Sequence, residues 1–464
     1  MEDWVRGIYE KERKRRGIPL EIKRLNGNYY LYHSTSRYDR DRHGPKKVSE
    51  YIGRITENGV VEANHNVREV YEYGNSELIR VVSGDIVGAL KKHLPDYWES
   101  VYALSAVRLI EPVPLKSVME RWEKLYMSMQ IKAHLSPNTL TGLLRDLGSA
   151  SHYGLFRELM QNSRKLAFDL SSIFSRSESI TIAQKGHNAD HLHIPQVNMA
   201  LIFDLDRYRP VFLRPLDGSV RDVKSLRKVL EEVDFNGILV LDRGFFSYDL
   251  AQLMSSRMKF IMPLRRNSSM ADYGMKLNSS FVYRDRGILC GFKDQEGGLR
   301  VYTFQDQSLM ADESSNFIKM IAEGKKSQKD YDEAQPAFGR ISMLTNLTAD
   351  PHEIYLMYKQ REEIEQAFDA MKNELENDKS YLSDDYALRG YFLISFISLY
   401  LYYSIFNLIR SSGLTDRLSV NDALLRFSRV YKIIDGRREM LSELPASVEK
   451  LDSLLGTNIF PKKL

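Results

Sequence analysis

The spacing of apolar residues changes along the chain and separates a helical segment from a mixed one. Between about residues 66 and 160, apolar residues recur every three or four positions, which predicts helices over Glu77–Leu94, Tyr97–Leu109 and Leu115–Met127. Ser136 followed by Pro137 predicts a further helix start, with Ser as the N-cap and Pro at the first helical position.

From about residue 164, short apolar runs alternate with amphipathic stretches, as they do in a mixed α/β sheet. The run GILVL at Gly237–Leu241 is apolar throughout, which is typical of a strand buried on both faces. Asp222–Val233 and Tyr248–Ser256 have helical spacing. Further strands are predicted at Lys165–Asp169, Val197–Phe203, Pro210–Arg214 and Phe260–Pro263.

The stretch from about 265 to 346 is strand-rich and predicts a β insertion into the α/β domain, with a loop or short helix at Asp312–Ala334. A long helix is predicted at 351–376 and an apolar helix at 390–409. The apolar helix is long enough to cross a bilayer, but its serines and tyrosines and the charged helix before it favour a buried helix.

The first 65 residues are rich in basic residues and tyrosines. A basic run within Lys11–Arg16 precedes two predicted strands joined by a charged turn, which can lie against DNA phosphates or form a small solvated hairpin domain. The helices of 66–160 leave a similar choice between a DNA-reading helix-turn-helix and a helical bundle. The chain is thus predicted to comprise an N-terminal domain (1–65), a helical domain for DNA-end binding or assembly (66–160), an α/β domain (161–410) and a helical tail (411–464).

Composition and charge narrow the class of protein only slightly. The 464 residues are 43% hydrophobic and 28% charged, which is ordinary for a folded soluble protein. The net charge of +4 permits a nucleic-acid partner without requiring one. Cys290 is the one cysteine, which excludes an internal disulfide and a cysteine-based zinc finger and suits a reducing cytoplasm.

Within the predicted long helix, the pattern Tyr358-x2-Arg361-x3-Glu365-x6-Lys372 falls on one helical face. Glu365 can bind a hard metal ion through oxygen, and Tyr358, Arg361 and Lys372 can hold phosphate oxygens beside it. The alternative is a solvated charged face with an Arg361–Glu365 pair.

Two aspartates follow predicted strands of the α/β domain. Asp169 ends KLAFD, and Asp242 follows GILVL. Carboxylates at strand ends in an open sheet are well placed for a site, although each residue alone can also be a turn or cap residue. Together with Glu365 they supply the ligands that two Mg²⁺ ions need for phosphodiester chemistry.

These residues resemble the DDE transposases of prokaryotic insertion sequences, in the group marked by a Tyr-x2-Arg-x3-Glu-x6-Lys signature. Tyr358, Arg361, Glu365 and Lys372 match it at every position. LDRGFF resembles the region of the second catalytic aspartate, Asp242, and FDLSS that of the first, Asp169, although Leu170 stands where a small residue or threonine is common. Lys185–Gln196 and Pro210–Leu226 resemble further family segments, so that the similarity spans about 160–410.

The resemblance implies an α/β, ribonuclease-H-like mixed sheet core with a β-rich insertion, in which Asp169, Asp242 and Glu365 hold two Mg²⁺ ions, with Mn²⁺ as a substitute. It implies that Tyr358, Arg361 and Lys372 position DNA phosphates. It also implies double-stranded DNA partners (the transposon terminal inverted repeats and the target), a homodimer in the DNA complex, excision through a hairpin, and a prokaryotic, cytoplasmic protein.

Several alternatives stay open at this point. A host nuclease on the same core would cleave without joining strands, and a catalytically inactive relative would only bind DNA. A membrane protein that uses 391–409 is a third. A zinc site at His187, Asp190, His191 and His193 is disfavoured, because the resembling family segment needs no zinc. Phe245 and Phe246, just past Asp242, either stack on a DNA base or pack against the sheet edge.

Overall fold

The protein is described from a computed structural model. The described residues are 2–39, 44–62, 68–175, 177, 179–186, 194–220, 222–232, 235–374, 382, 384–435 and 438–460. The chain divides into two compact units, residues 1–70 with 433–440 and residues 71–432 with 441–464. The predicted boundaries at 160 and 410 therefore fall inside one compact unit, and the roles assigned to the four domains stay predictions.

The first unit pairs a helix with a four-stranded antiparallel sheet. Its core includes Val5 from the helix and Leu31 and Ile55 from the sheet. The two strands predicted here do pair, and two shorter strands flank them. In chain order the elements are α1 (Asp3–Arg16), β1 (Leu20–Leu25), β2 (Asn28–Asp39), β3 (Gly44–Thr56) and β4 (Gly59–Glu62).

The helical segment begins after strand β5 (Arg68–Glu72). The stretch predicted as one helix at Glu77–Leu94 is two helices that meet at Ser83. The Ser136 cap is confirmed, because its side chain accepts a hydrogen bond from the Thr139 N–H. The helices are α2 (Gly74–Val82), α3 (Gly84–His93), α4 (Trp98–Ile110), α5 (Val118–Glu123), α6 (Pro137–Ser149) and α7 (Tyr153–Met160).

The α/β core is a five-stranded arrangement with the order β8-β7-β6-β9-β10. The first three strands in sequence run antiparallel as a meander, and the last two run parallel to β6. This mixed sheet confirms the predicted ribonuclease-H-like core. Its elements are β6 (Lys165–Phe174), β7 (Gln196–Asp204), β8 (Arg209–Asp217), α8 (Asp222–Leu230), β9 (Ile238–Val240), α9 (Tyr248–Ser255) and β10 (Lys259–Pro263).

The predicted β insertion extends this same sheet. Its last strand pairs antiparallel with β10, so nine strands form one continuous sheet. The polar stretch at Asp312–Ala334, predicted as a loop or short helix, is helical over most of its length. The inserted elements are β11 (Ser279–Tyr283), β12 (Arg286–Gln295), β13 (Leu299–Asp306), α10 (Gln307–Ala322), α11 (Gln328–Ala334) and β14 (Arg340–Thr345).

The long helix predicted at 351–376 is interrupted. Helix α12 (Pro351–Lys359) and helix α13 (Glu362–Asp369) meet at Gln360 and Arg361, and a π-helical turn, Ala370–Glu374, follows. At the junction the Arg361 and Ile364 N–H groups donate to carbonyls three residues earlier, which tightens the turn.

Helix α14 (Asp385–Ser411) is followed by α15 (Val420–Phe427), β15 (Tyr431–Asp435), β16 (Arg438–Leu441) and α16 (Ala446–Leu455). The tail thus contains a strand pair besides its predicted helices, and β16, β15 and β5 form a third sheet. Helix α14 is apolar enough to cross a membrane, with a mean hydropathy of 1.8 over its apolar window. Since 72% of that window is buried, α14 is a core helix of this unit, as the sequence predicted.

Two glycines let α14 lie directly against α6. A Cβ atom added to Gly390 would lie 2.0 Å from the Leu144 carbonyl oxygen, and one added to Gly148 would lie 1.7 Å from the Tyr386 carbonyl oxygen. Backbone therefore contacts backbone at this crossing, and any side chain would push the two helices apart.

The substitution Gly390→Ala is expected to lower the free energy of unfolding by about 1–3 kcal/mol, the usual cost of overpacking. Urea denaturation followed by circular dichroism measures it. Gly142→Ala on exposed α6 surface is the control, since nothing lies within 4 Å of its added Cβ. That control should raise stability by up to about 1 kcal/mol, because alanine favours helix more than glycine does. Equal effects of both changes would contradict the close helix contact.

Candidate active site

The sheet places the two aspartates side by side. Parallel strands β6 and β9 pair Ala167 with Val240. Asp169 and Asp242 each lie two residues beyond that pair, and side chains two residues apart on a strand share a face. Asp169 lies within β6, which continues to Phe174, and not at the strand end that the sequence predicted. It stands where β6 extends beyond its pairing with β9.

Glu365 reaches the same place from a helix. Helix α13 packs against β6 and β7 through a buried apolar face that includes Ile364 and Phe368. Glu365, which lies next to this face, is 51% exposed, whereas Asp169 is 17% exposed and Asp242 40%. The structure therefore brings together three carboxylates that are far apart in sequence.

A guanidinium lies between them. Arg361 Nη2 is 2.7 Å from Glu365 Oε1 and 3.6 Å from Asp242 Oδ1, and Nη1 is 3.8 Å from Asp169 Oδ2. The Arg361 side chain is only 13% exposed, and its Nε is buried without a hydrogen-bond partner among the described residues. We call Asp169, Asp242 and Glu365 with Arg361 the carboxylate cluster.

Burial and charge act in opposite directions on this cluster. The pKa of Asp169 is raised to about 7, chiefly by burial and to a smaller extent by the charges of Asp242 and Glu365, against the lowering effects of the Leu170 N–H bond and the Arg361 charge. For Arg361, burial lowers the pKa, but the surrounding acids raise it more, so the net pKa is above its ordinary value. Arg361 thus stays charged and offsets the mutual repulsion of the acids.

The cluster fits a hard divalent cation in its chemistry, because it offers carboxylate oxygens alone and gathers them around one positive charge. Among the described residues, no group of three or more His, Cys, Asp or Glu side chains stands ready to hold a metal ion. In this structure the guanidinium occupies the space between the acids. A divalent ion held by all three carboxylates would therefore compete with Arg361 for their oxygens.

A match to a known protein family identifies the class of protein in which this site occurs. The transposase DDE domain family matches residues 163–401, which is more than half of the chain. The chain belongs to the DDE transposases. It is thus a DNA transposase, which acts on DNA as a nuclease and transferase, and its family uses divalent metal ions. The matched residues include Asp169, Asp242 and Glu365.

The curated proteins and the solved structure of one transposase complex provide no close relative of this chain. No curated protein matches this chain. Among solved structures, the transposase is similar to a chain of the piggyBac transposase synaptic complex with hairpin DNA, determined by cryo-EM. The two share 10% identity and a TM-score of 0.40, over 84% of this chain and 86% of that chain. A likeness this distant carries no argument about this transposase.

Tyr358 and Lys372, the other residues of the predicted signature, differ in their relation to the cluster. The Arg361 guanidinium carbon lies 5.7 Å from the centre of the Tyr358 ring, one turn earlier, and burial raises the pKa of Tyr358. Lys372 lies on the π-helical turn, whose wider winding shifts it from the position that an unbroken α-helix would give. The structure thus places Tyr358 beside Arg361 of the cluster, and the phosphate-holding roles of Tyr358, Arg361 and Lys372 stay predictions.

The two phenylalanines that follow Asp242, Phe245 and Phe246, have different surroundings. Phe245 is buried, and its ring lies edge-on to Phe168, 5.1 Å between centroids, so it packs the sheet and cannot stack on DNA. Phe246 is half-buried and lines an open cavity with Tyr248. His187, Asp190, His191 and His193, the zinc alternative, lie outside the described residues.

Sequence reasoning missed a group of cations beside the cluster. Arg243, Arg266, Arg286, Arg340 and Lys359 line one cavity of 260 Å³ together with Tyr358. Arg243 follows Asp242 directly and could have been noticed for that reason. The other arginines come from the insertion, where no motif distinguishes them from ordinary surface cations.

Proposed function

We propose that this transposase is a Mg²⁺-dependent polynucleotidyl transferase that cuts an insertion-sequence element from DNA and joins it to a target. The observation that carries the proposal is the carboxylate cluster itself. Three carboxylates from two adjacent core strands and one helix meet around a single cation, in a chain that belongs to the DDE transposases. In this proposal Asp169, Asp242 and Glu365 are the metal ligands and catalytic residues, and Mn²⁺ can replace Mg²⁺.

Two reactions follow one another in this proposal. Water attacks a phosphodiester at the element's end, the P–O3′ bond breaks, and a 3′-hydroxyl and a 5′-phosphate result. That hydroxyl then attacks a phosphodiester of the opposite strand, giving a hairpin, or of the target; a new P–O bond forms as the P–O3′ bond of the attacked strand breaks and releases its own 3′-hydroxyl. Asp169, Asp242 and Glu365 would hold the divalent ions, which would supply Lewis-acid activation of the attacking oxygen and charge stabilisation of the leaving oxygen.

Basic and phenolic groups of this chain hold the substrate strand. Tyr358, Arg361 and Lys372 contact phosphate oxygens next to the cleaved bond in this proposal. Arg361 has a second task, since it neutralises the acids until metal arrives. The permanent charge and paired N–H donors of its guanidinium suit both the acids and the DNA phosphates, because carboxylate and phosphate oxygens accept the same paired hydrogen bonds.

The N-terminal unit is proposed to contact DNA. Its sheet carries tyrosines that pack together, with Tyr51 ring centroids 5.9 Å from Tyr30 and 5.3 Å from Tyr32. Lys23 lies 4.3 Å above the Tyr32 ring. A half-exposed aromatic face with cations suits sugar-phosphate contacts. The helices of 66–160 are proposed to serve DNA-end binding or assembly.

The remaining parts of the proposal rest on the signature residues. On this signature we propose that the transposase belongs with those of prokaryotic insertion sequences, with terminal inverted repeats and target DNA as partners. We also propose a homodimer on two paired ends and a cytoplasmic setting.

The decisive experiment incubates the full chain with DNA that spans one end of its element, with Mg²⁺, with Mn²⁺ or with EDTA. A second substrate carries a preformed 3′-hydroxyl end. We expect cleavage only with metal, and joining of the 3′-hydroxyl end to a second DNA. Cleavage without joining would identify a nuclease, and binding without cleavage under either metal would identify an inactive relative.

A further inference from the structure

A basic cavity lies between the insertion and helix α12. It has a volume of 260 Å³, and five cations line it: Arg243, Arg266, Arg286, Arg340 and Lys359. Asp306 is the one acid among the described residues that line it. Phe304, Tyr355 and Tyr358 supply an aromatic wall. We call it the arginine pocket.

Three of the five cations already have acidic neighbours. Arg266 pairs with Glu313, Arg286 Nη1 lies 3.2 Å from Asp306 Oδ2, and Lys359 Nζ lies 3.5 Å from Glu362 Oε1. These pairs hold the side chains at the rim of the pocket. The Arg286 side chain remains 52% exposed, so it can turn toward an anion at small cost.

Among the described residues, neither of the other two cations forms an ion pair with an acid. Arg340 donates to the Tyr273 carbonyl, and its Nε is buried with no hydrogen-bond partner among the described residues. Burial lowers the pKa of Arg340, which shows how poorly water solvates this charge. The Arg243 side chain makes no hydrogen bond or ion pair with the described residues. A half-buried guanidinium whose buried Nε–H has no acceptor, as in Arg340, is stabilised by an anion that reaches it.

The pocket adjoins the carboxylate cluster. Arg243 follows Asp242 in sequence, and Tyr358 lies one turn before Arg361, so each of these two lining residues neighbours a member of the cluster. A DNA strand with one phosphate at the cluster would therefore have its neighbouring phosphates close to these lining residues. The acids of the carboxylate cluster repel this DNA strand, and the cations of the arginine pocket attract it.

From the shape and charge of this pocket we infer that it binds a phosphate of a single-stranded DNA segment next to the cleavage site. Its volume is below the roughly 300–1,000 Å³ of pockets that enclose drug-sized ligands, so a duplex cannot enter it. A phosphate with part of its nucleotide fits, since the arginines meet the phosphate and the aromatic wall meets the sugar or base. This inference rests on the proposed function, because it assigns the pocket to the transposase's DNA substrate.

The test measures fluorescence anisotropy of the full chain in EDTA with two labelled DNAs, a blunt element end and the same end with a single-stranded extension. Arg286→Gln is expected to weaken binding of the extended DNA about tenfold. The slope of log affinity against log salt should fall by about 0.7, which is the loss of one single-strand phosphate contact. Arg243→Gln should act in the same direction, and blunt-end binding should change less than twofold in both variants.

Lys329→Gln is the matched control, since Lys329 is an exposed cation of the insertion and pairs with Glu333, and neither residue lines the pocket. It should leave both affinities unchanged. Equal losses for both DNAs in Arg286→Gln and Arg243→Gln, or no loss for either, would overturn the inference. If inorganic pyrophosphate displaces the extended DNA at equal concentration of phosphate groups, the pocket binds free phosphate compounds and the inference also fails.

Because EDTA prevents metal-dependent cleavage, this result is independent of the proposed reaction. A parent protein that never cuts with metal, yet loses extended-DNA binding on Arg286→Gln, would refute the proposed function and keep the pocket. A parent protein that cuts and joins DNA, with variants that bind the extended DNA normally, would support the proposed function and refute the DNA-binding role of the pocket.

Discussion

Replacing Glu365 with Gln is expected to lower the rate of DNA-end cleavage roughly 10²–10³-fold, the scale of losing one preorganised electrostatic contact in a site. Gln keeps the size of the side chain and removes the negative charge that holds a divalent ion. Affinity for the DNA end in EDTA should stay within about twofold, because a carboxylate contributes nothing attractive to phosphate binding. Single-turnover cleavage of labelled DNA with Mg²⁺ measures the rate.

Asp369→Asn is the matched control for this change. Asp369 ends the same helix α13, one turn after Glu365, and is exposed. Its loss removes the same charge from the same helix without touching the carboxylate cluster, so cleavage should stay within about twofold. If Glu365→Gln cleaves as fast as the Asp369 variant, Glu365 is not a metal ligand and the assignment of the site fails.

Replacing Arg361 with Gln is expected to destabilise the metal-free transposase by about 2 kcal/mol. Removing one partner of a fully buried ion pair costs roughly 3–5 kcal/mol, and the half-exposed Asp242 and Glu365 reduce that figure. The physical reason is that three carboxylates then face one another without a cation. Chemical denaturation in EDTA measures the loss.

Mg²⁺ without DNA should raise the melting temperature more in Arg361→Gln than in the parent protein. The metal no longer competes with the guanidinium, so it binds the folded state more tightly and stabilises it more. Arg284→Gln, which breaks an exposed pair with Glu362, should change stability by no more than about 0.5 kcal/mol and leave the Mg²⁺ response unchanged. An equal Mg²⁺ response in Arg361→Gln and the parent would show that Arg361 does not compete with the metal.

Much of the site could be predicted because its residues stand in sequence patterns that are recognisable from their immediate neighbours. Asp242 follows an apolar run that is typical of a buried strand, and Glu365 belongs to a four-residue signature within the helix predicted at 351–376. Asp169 was predicted on weaker grounds, as the last residue of a short strand. The structure places it in mid-strand, because β7 continues to pair with β6 after β9 has ended.

Other features had no local signal. Helical spacing predicted one helix at 351–376, but the hydrogen bonds around Gln360 and Arg361 tighten the turn and separate α12 from α13. The strands of the insertion were predicted from their composition, whereas their addition to the core sheet depends on pairing between β14 and β10, far apart in the chain. The strand pair in the tail was missed, because its short strands lie in a helical context.

By itself the sequence determined the α/β class, the strand that presents Asp242, the helix that presents Glu365 and the family that unites them. These follow from the period of apolar positions and from spacing within single elements, which short-range sterics and hydrogen bonding control. The tertiary structure decided that Arg361 lies among the three acids and that arginines of the insertion meet Arg243 in one pocket. Those contacts join residues distant in sequence, and only the packing of helix and insertion strands on the shared sheet fixes their distances.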